Sequence, residues 1–178
     1  MIVVYLVYLI FAIIAIAFAS IIALGLSRPS TFRIERDIEI NAKPEAIYAI
    51  LSDFHRSGCW SPWENKDPNM KRMLGGAESG KGAIYEWDGD KNVGHGRQEI
   101  IEATPYSKIE IQLDFFRPFK GRNTTQFLLE PAVSSTRVRW VMFGPVNFIV
   151  RVLCINLDKM VGKDFEQGLS NLKGHHEA

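Results

Sequence analysis

The chain has 178 residues, with 21 basic and 20 acidic side chains and a net charge of +1. All of these charges follow the first 27 residues, so the remainder is nearly neutral and has no excess positive charge for a nucleic-acid partner. About 150 residues remain after the uncharged start, which is enough to bury a hydrophobic core without disulfides or metals.

Residues 1–27 are an uninterrupted apolar segment that predicts a transmembrane anchor. A helix of this length is about 40 Å long and exceeds the roughly 30 Å hydrocarbon core of a bilayer. The alternative is a cleaved signal peptide, because Ala17-Phe18-Ala19 has the small-x-small form of a cleavage site. The segment lacks a basic start and is longer than the apolar region of a signal peptide, and both features favour the anchor.

The residues in and around this segment bear on its orientation and partners. Four basic side chains follow it closely, namely Arg28, Arg33, Arg36 and Lys43. The positive-inside rule therefore places the domain in the cytoplasm, although interleaved acidic residues leave the side of the membrane open. Ala15, Ala19 and Ala23 have the spacing of a helix-packing face, which leaves open a protein partner within the membrane.

The first elements after the anchor are a strand and a helix. Phe32–Ile40 alternates between apolar and charged residues, which predicts a strand whose buried face also carries Arg36. Pro44 opens a predicted helix that runs to about Phe54. His55–Asn69 is predicted as a loop or short helix that contains two tryptophans.

The region after Met70 alternates between apolar-patterned strands and turn-forming glycine and proline clusters. Six strands are predicted, at Lys71–Gly75, Ala83–Asp88, Gly96–Ala103, Lys108–Phe116, Asn123–Glu130 and Arg137–Phe143. Their short connections are typical of an antiparallel meander. A long amphipathic helix is predicted from Phe148 to Lys173, with its charged residues facing solvent. Gly162 and Gly168 within it indicate a bend or a close backbone approach.

Together these elements predict an α+β fold. A curved, seven-stranded antiparallel sheet is covered by the long C-terminal helix and preceded by one transmembrane helix. The predicted boundaries are 1–27 for the anchor, 28–31 for a short linker, 32–174 for the domain and 175–178 for a polar tail. The two histidines of that tail are expected to be solvated.

The inner face of the predicted sheet is rich in aromatic rings. With the loop tryptophans and one residue of the last helix, the predicted cavity-lining set is Trp60, Trp63, Tyr85, Trp87, Leu113, Phe115, Phe127, Trp140, Met142 and Phe165. Two alternatives stay open, a solid core filled by these rings and a cavity for an apolar ligand. Arg36 and Thr125 are the candidate polar ligand contacts. Arg36 has two further interpretations, an ion pair at the cavity mouth and a rim residue whose charged head reaches water.

Motifs for phosphate binding and for metal binding are excluded by the residues around them and by their spacing. Gly75–Lys81 resembles a phosphate-binding loop, but Gly82 replaces the metal-binding hydroxyl residue, and a strand follows where a helix is needed. The histidines and cysteines lack metal-ligand spacing, so neither a metal nor a cofactor is expected. A disulfide between Cys59 and Cys154 is one alternative, and two buried free thiols are the expected state. Glu64, beside the tryptophans, is expected to be a cap or a surface residue.

The order of strand, helix, tryptophan loop, meander and long helix resembles the START-like helix-grip superfamily, also called SRPBCC, which includes polyketide cyclases and lipid-transfer domains. Motifs similar to its bacterial polyketide cyclase/dehydrase-like branch are Trp60-Ser61-Pro62-Trp63, Gly80-Lys81-Gly82-Ala83, Pro118-Phe119, Gly144-Pro145 and Asp158–Glu166. The resemblance covers Phe32–Lys173, and members of this branch similarly carry an N-terminal apolar helix. It implies a helix-grip fold around an apolar pocket, and it implies no particular catalytic residue.

The residues and the resemblance together predict a single-pass protein of the bacterial inner membrane. Its domain is expected to bind an apolar small molecule of lipid, polyketide or isoprenoid type between the sheet and the C-terminal helix. The expected partners are this ligand and the bilayer, with no nucleic acid. Two other functions stay open, a cyclase- or dehydratase-like enzyme that uses the same pocket and an accessory subunit that docks on a membrane protein through its alanine stripe.

Overall fold

The structure is a computed structural model that describes residues 2–153 and 156–178. It divides into two compact units, Met1–Thr31 with Val146–Ile155 and Phe32–Pro145 with Asn156–Ala178. The helices are α1 (Ile2–Ser27), α2 (Pro44–Leu51), two 3₁₀ helices (Phe54–Cys59 and Pro62–Asn65), α3 (Phe148–Val152) and α4 (Leu157–Glu177). The strands are β1 (Thr31–Ile40), β2 (Lys71–Gly76), β3 (Ala83–Asp88), β4 (His95–Thr104), β5 (Lys108–Arg117), β6 (Gly121–Pro131) and β7 (Thr136–Pro145).

The first unit contains α1 and α3. α1 is 26 residues long, and its apolar composition makes it the one helix of the described residues that is long and apolar enough to cross a membrane. Its side chains are exposed within the structure, and Gly25 is its one buried residue. α3 begins after Asn147, whose side chain accepts a hydrogen bond from the Ile149 amide at 2.9 Å.

The second unit is built on a seven-stranded sheet in the order β1-β7-β6-β5-β4-β3-β2. Strands β2 to β7 pair with their sequence neighbours in antiparallel fashion, which is the predicted meander. The predicted α+β fold and its seven-stranded sheet are therefore confirmed. β3 has the predicted bounds, and each of the other strands begins or ends one to two residues beyond its predicted limits.

The core of the second unit lies between the sheet and its helices. Ile34 and Ile40 of β1 are buried, as the alternation predicted. Phe127 of β6 is buried as well. From α4, Phe165, Leu169 and Leu172 are among the buried side chains. The apolar stripe of the last helix thus packs on the sheet, which is the arrangement expected for an amphipathic cover.

The predicted single helix from Phe148 to Lys173 is wrong in one respect, since two helices occupy this region. The Asn156 side chain accepts a hydrogen bond from the Lys159 amide at 2.9 Å and so caps a new helix, α4. Leu153, an apolar residue within the predicted helix, is more than half exposed.

The predicted polar tail is mostly helical, because α4 continues to Glu177. His176 is half-buried and not fully solvated. Its burial, together with the nearby positive charges of His175 and Arg56, lowers the pKa of His176.

The expectation of two buried thiols is also wrong for Cys59, which is an exposed free cysteine at the end of the first 3₁₀ helix. Gly58 beside it is exposed as well, so the end of this 3₁₀ helix faces solvent. Cys154 lies outside the described residues.

Gly168 of α4 tests how closely this helix packs on the sheet. A methyl group at Gly168 would lie 2.8 Å from Cζ3 of Trp140 and 3.1 Å from Cδ of Pro62. We expect Gly168→Ala to lower the melting temperature of the full chain in detergent by about 2–6 °C, because overpacking by about 1–3 kcal/mol exceeds the helix-propensity gain.

The matched control is Gly174→Ala on the same helix, where a methyl group would meet nothing within 4 Å. It should keep or raise the melting temperature, since only the propensity gain applies. An equal rise in both variants would show that the close approach at Gly168 is not tight.

Candidate ligand-binding site

A cavity of about 410 Å³ lies inside the second unit, between the sheet, α4 and the two 3₁₀ helices. Its wall includes every apolar residue predicted for it: Trp60, Trp63, Tyr85, Trp87, Leu113, Phe115, Phe127, Trp140, Met142 and Phe165. All four tryptophans of the chain belong to this set. The rings therefore surround a space in addition to packing on one another, and the volume is within the range of small-molecule pockets.

The register of the sheet aligns the wall residues in rows. Tyr85 of β3 pairs with Gln98 of β4, and Gln98 pairs with Leu113 of β5, so the three side chains lie side by side on one face. The next row begins at Trp87, continues with a glycine on β4 and ends at Phe115. A Cβ on that glycine, Gly96, would collide with the Trp87 ring, so its missing side chain lets the indole lie across β4.

Trp140 of β7 is the centre of the aromatic cluster at the wall. Its ring stacks on Phe165 of α4, with centroids 3.9 Å apart and an interplanar angle of 4°. Trp60 and Trp63 meet it edge to face at 5.2 and 5.7 Å. Phe127 lies 4.9 Å away on the neighbouring strand. The loop tryptophans thus pack against the sheet and face the cavity at the same time.

Thr125, a predicted polar ligand contact, lies at the cavity wall but already has two partners. Its Oγ1 accepts a hydrogen bond from Nε1 of Trp140 and donates one to the carbonyl oxygen of Val141, each at 2.9 Å. Because its only proton is used, Thr125 has no donor left for a ligand. Its role is to satisfy the buried indole nitrogen and fix the Trp140 ring.

Arg36, the other predicted polar contact, is not among the residues that line the cavity. Its guanidinium donates to Asp158 at 3.0 Å and to Glu166 at 2.7 Å, both on α4. These hydrogen bonds and charges raise the pKa of Arg36 above its ordinary value. The missing side chain of Gly162 makes room for the Arg36 guanidinium, because a methyl group at this position would collide with it. Of the interpretations left open for Arg36, the structure supports the ion pair.

Glu64, a wall residue, contacts two other polar residues, which the sequence did not indicate. The Tyr85 hydroxyl donates to one carboxylate oxygen of Glu64 at 2.6 Å, and Nε of Arg72 donates to the other at 2.7 Å. Burial and the adjacent Glu64 carboxylate raise the pKa of Tyr85 well above its ordinary value. The predicted cap or surface role of Glu64 is wrong, because its side chain turns inward from the second 3₁₀ helix.

Lys66 and Asp164 form a second polar pair at the wall, with Nζ and Oδ2 2.7 Å apart. The α4 charges were predicted to face solvent, and for Asp164 this is wrong. Its carboxylate accepts the hydrogen bond of Lys66, the residue that follows the second 3₁₀ helix. This pair ties that helix to α4 beside the tryptophans.

Gln98 is a wall residue that the sequence analysis did not select. Its half-buried side chain points into the cavity between Tyr85 and Leu113. Within residues 2–153 and 156–178, no hydrogen-bond partner of its amide is found. An amide in this apolar environment gains about 1 kcal/mol from a hydrogen-bond partner. Strand alternation could have identified Gln98, because it lies midway between the buried Gly96 and the buried Ile100 on β4 and so shares their face.

The pKa of Tyr85 predicts how stability responds to high pH. Its folded pKa is raised, whereas an unfolded tyrosine ionises near pH 10. Above about pH 10 the unfolded chain releases this proton and the folded chain keeps it, so the contribution of Tyr85 to stability is lost as pH rises.

We expect Tyr85→Phe to be about 1–2 kcal/mol less stable than the wild type at pH 8, because the hydrogen bond to Glu64 is lost. Denaturant titrations should show that the difference in free energy of unfolding between the wild type and Tyr85→Phe shrinks between pH 10 and pH 11. A difference that is constant over this pH range would contradict the role assigned to Tyr85.

Comparison with known proteins places this geometry in a family. Residues 31–177 match the family described as "Polyketide cyclase / dehydrase and lipid transport". No curated protein matches the chain. Among solved structures, protein CV1439 from Chromobacterium violaceum is similar at 18% identity and a TM-score of 0.59, over 84% of this chain and 99% of that one.

Two further structures share the fold. The Aha1 dimer from Colwellia psychrerythraea has 20% identity and a TM-score of 0.60, over 82% of this chain and 96% of that one. The di-domain ARO/CYC StfQ from the steffimycin biosynthetic pathway has 10% identity and a TM-score of 0.63, over 83% of this chain and 51% of StfQ. Because the family match includes the whole sheet, the cavity wall and α4, this protein belongs to the polyketide cyclase/dehydrase and lipid transport family of the SRPBCC, or START-like, superfamily.

Proposed function

We propose that this protein is a membrane-tethered binding module for an apolar small molecule of lipid, polyketide or isoprenoid type. The observation that carries the proposal is the cavity of about 410 Å³, whose wall contains all four tryptophans. A wall of rings and aliphatic side chains binds by removing apolar ligand surface from water. Burial of about 300 Å² of ligand would contribute about 7 kcal/mol before the cost of association is subtracted.

The polar groups at the wall favour a ligand with one neutral hydrogen-bonding group. Glu64, Tyr85 and Arg72 bond to one another, and Lys66 bonds to Asp164. Among the described wall side chains that are not exposed, Gln98 is the amide whose donor and acceptor have no partner. A hydroxyl or carbonyl placed beside Gln98 would satisfy it while the rest of the ligand contacts the rings.

The same pairing favours binding over catalysis. A cyclase- or dehydratase-like enzyme needs ionisable groups that reach the substrate. General acids and bases act within hydrogen-bond distance of the atoms to which they give a proton or from which they take one. At this wall the Tyr85 proton and the Glu64 carboxylate are engaged with each other at 2.6 Å. Catalysis by Tyr85 or Glu64 would require a substrate to break this pair.

The membrane tether is supported by the first unit. α1 is about 39 Å long at 1.5 Å per residue, which exceeds the roughly 30 Å hydrocarbon core. The uncharged start and the length of the apolar segment favour a retained helix over a cleaved signal. The basic residues from Arg28 to Lys43 favour a cytoplasmic domain.

Filling the cavity tests the binding proposal. Leu113 faces the cavity, and its neighbour Gln112 on β5 faces the other side of the sheet. We expect Leu113→Tyr to weaken the quenching of tryptophan fluorescence by 9,10-dibromostearic acid at least tenfold, because the added ring occupies ligand space.

The control for cavity filling is Gln112→Tyr, which adds the same ring outside the cavity and should change the quenching midpoint less than twofold. Excitation at 295 nm keeps the added tyrosine silent, and both variants are compared with the wild-type full chain in the same detergent. Equal midpoints for all three proteins would place fatty-acid binding elsewhere.

The role of Gln98 is tested with two ligands of similar shape. We expect Gln98→Leu to weaken calorimetric binding of 1-naphthol about three- to tenfold, which corresponds to the loss of one hydrogen bond. Binding of 1-methylnaphthalene, which lacks the hydroxyl, should be unchanged or stronger. Equal weakening for both ligands would show that Gln98 acts only through the shape of the wall.

A further inference from the structure

The C-terminal end of α1 is packed against α3, a short helix that follows β7. A methyl group at Gly25 would lie 2.6 Å from Cε2 of Phe148 and 2.8 Å from Cγ2 of Val152. Gly25 is buried by this contact, and it is the one buried residue of α1. The missing side chain of Gly25 therefore allows α3 to lie directly on the helix backbone.

Hydrogen bonds fix the same contact. Nη2 of Arg151 donates to the carbonyl oxygens of Leu26 and Arg28, at 3.1 and 2.6 Å. The amide of Val146 donates to the carbonyl oxygen of Ser30 at 2.7 Å. The last carbonyls of a helix have no partners within the helix, and such groups need partners most where water is scarce. Arg151 of α3 supplies a partner for the Leu26 carbonyl of α1.

The outer side of this segment is apolar. The exposed fractions of Phe148, Ile149 and Leu153 are 42%, 49% and 58%. Arg151 is the one charged residue from 148 to 153, and its guanidinium is directed to the end of α1 and lies 6.0 Å from the Phe148 ring centroid.

These exposed side chains continue the apolar surface of α1. Ile21 and Ile22 lie one turn before Gly25 on the same helix face and are themselves 48% and 36% exposed. Phe148 packs at the next turn, so the two apolar surfaces join without an intervening charged residue. If α1 spans a bilayer, the exposed apolar side chains of α3 that continue its surface are in contact with the same lipid.

We propose that α3 lies within the headgroup and acyl-chain boundary of the bilayer that α1 spans, so that residues 148–153 are a second, internal membrane contact. The inference rests on the proposed membrane tether. Phe148, Ile149 and Leu153 enter the boundary region, as the apolar side of an interfacial helix does, and Arg151 remains beside the carbonyls at the end of α1.

Site-directed spin labelling of the full chain in phosphatidylcholine/phosphatidylglycerol nanodiscs tests this placement. Cys59 and Cys154 are replaced by serine, and single labels are introduced by Ile149→Cys, Leu153→Cys, Ile10→Cys and Val133→Cys. Ile10 reports the middle of α1, and Val133 is a fully exposed apolar residue between β6 and β7. Power saturation compares collisions with oxygen, which concentrates in lipid, and with a water-soluble nickel chelate.

We expect the labels at Ile149 and Leu153 to collide more with oxygen than with nickel, at values between those of Ile10 and Val133. If Ile10 reports lipid while Ile149 and Leu153 match Val133, α3 is in water and the inference is overturned while the tether stands. Labels at Ile149 and Leu153 shielded from both reagents would mean that a protein covers α3, which also overturns it. If Ile10 matches Val133, the tether itself fails.

Discussion

The stack of Trp140 on Phe165 joins the sheet to α4, and the cavity depends on this contact. The two rings lie 3.9 Å apart and nearly parallel, and Gly168 allows α4 to come close enough for them to meet. Trp60 and Trp63 then pack on the edge of Trp140, which fixes the loop that carries them. Rings held by one another in this way keep their positions without a ligand, so they form a wall and leave the space beside them open.

Most of the fold follows from periodicity in the sequence. Alternation identified the strands because one face of each strand is buried, and the glycine and proline clusters marked the turns. The break between α3 and α4 was not predicted, because apolar residues continue at helical spacing through it. Asn156 is the residue that begins the second helix, and asparagine is a favoured cap, so the signal was local and was hidden by the longer pattern.

The site was predictable where it depends on strand alternation and not where it depends on long-range pairing. Arg36 falls on the inner face of β1 as alternation indicates, but its partners Asp158 and Glu166 come more than 100 residues later and remove it from the cavity. Glu64 lies in an irregular segment without a period, so its bond to Tyr85 could not be anticipated. Thr125 lies at the wall, and its hydrogen bonds to Trp140 and Val141 depend on the register of β6 with β7.

The proposed function depends most directly on the cavity holding an apolar molecule. Native mass spectrometry of the full chain, purified in nonionic detergent, tests this most directly. We expect a single small-molecule adduct that is released at high collision energy, is recovered in organic solvent and is diminished by Leu113→Tyr. A chain that carries no adduct, and acquires none on incubation with fatty acids, isoprenoid alcohols or aromatic polyketides, would contradict it.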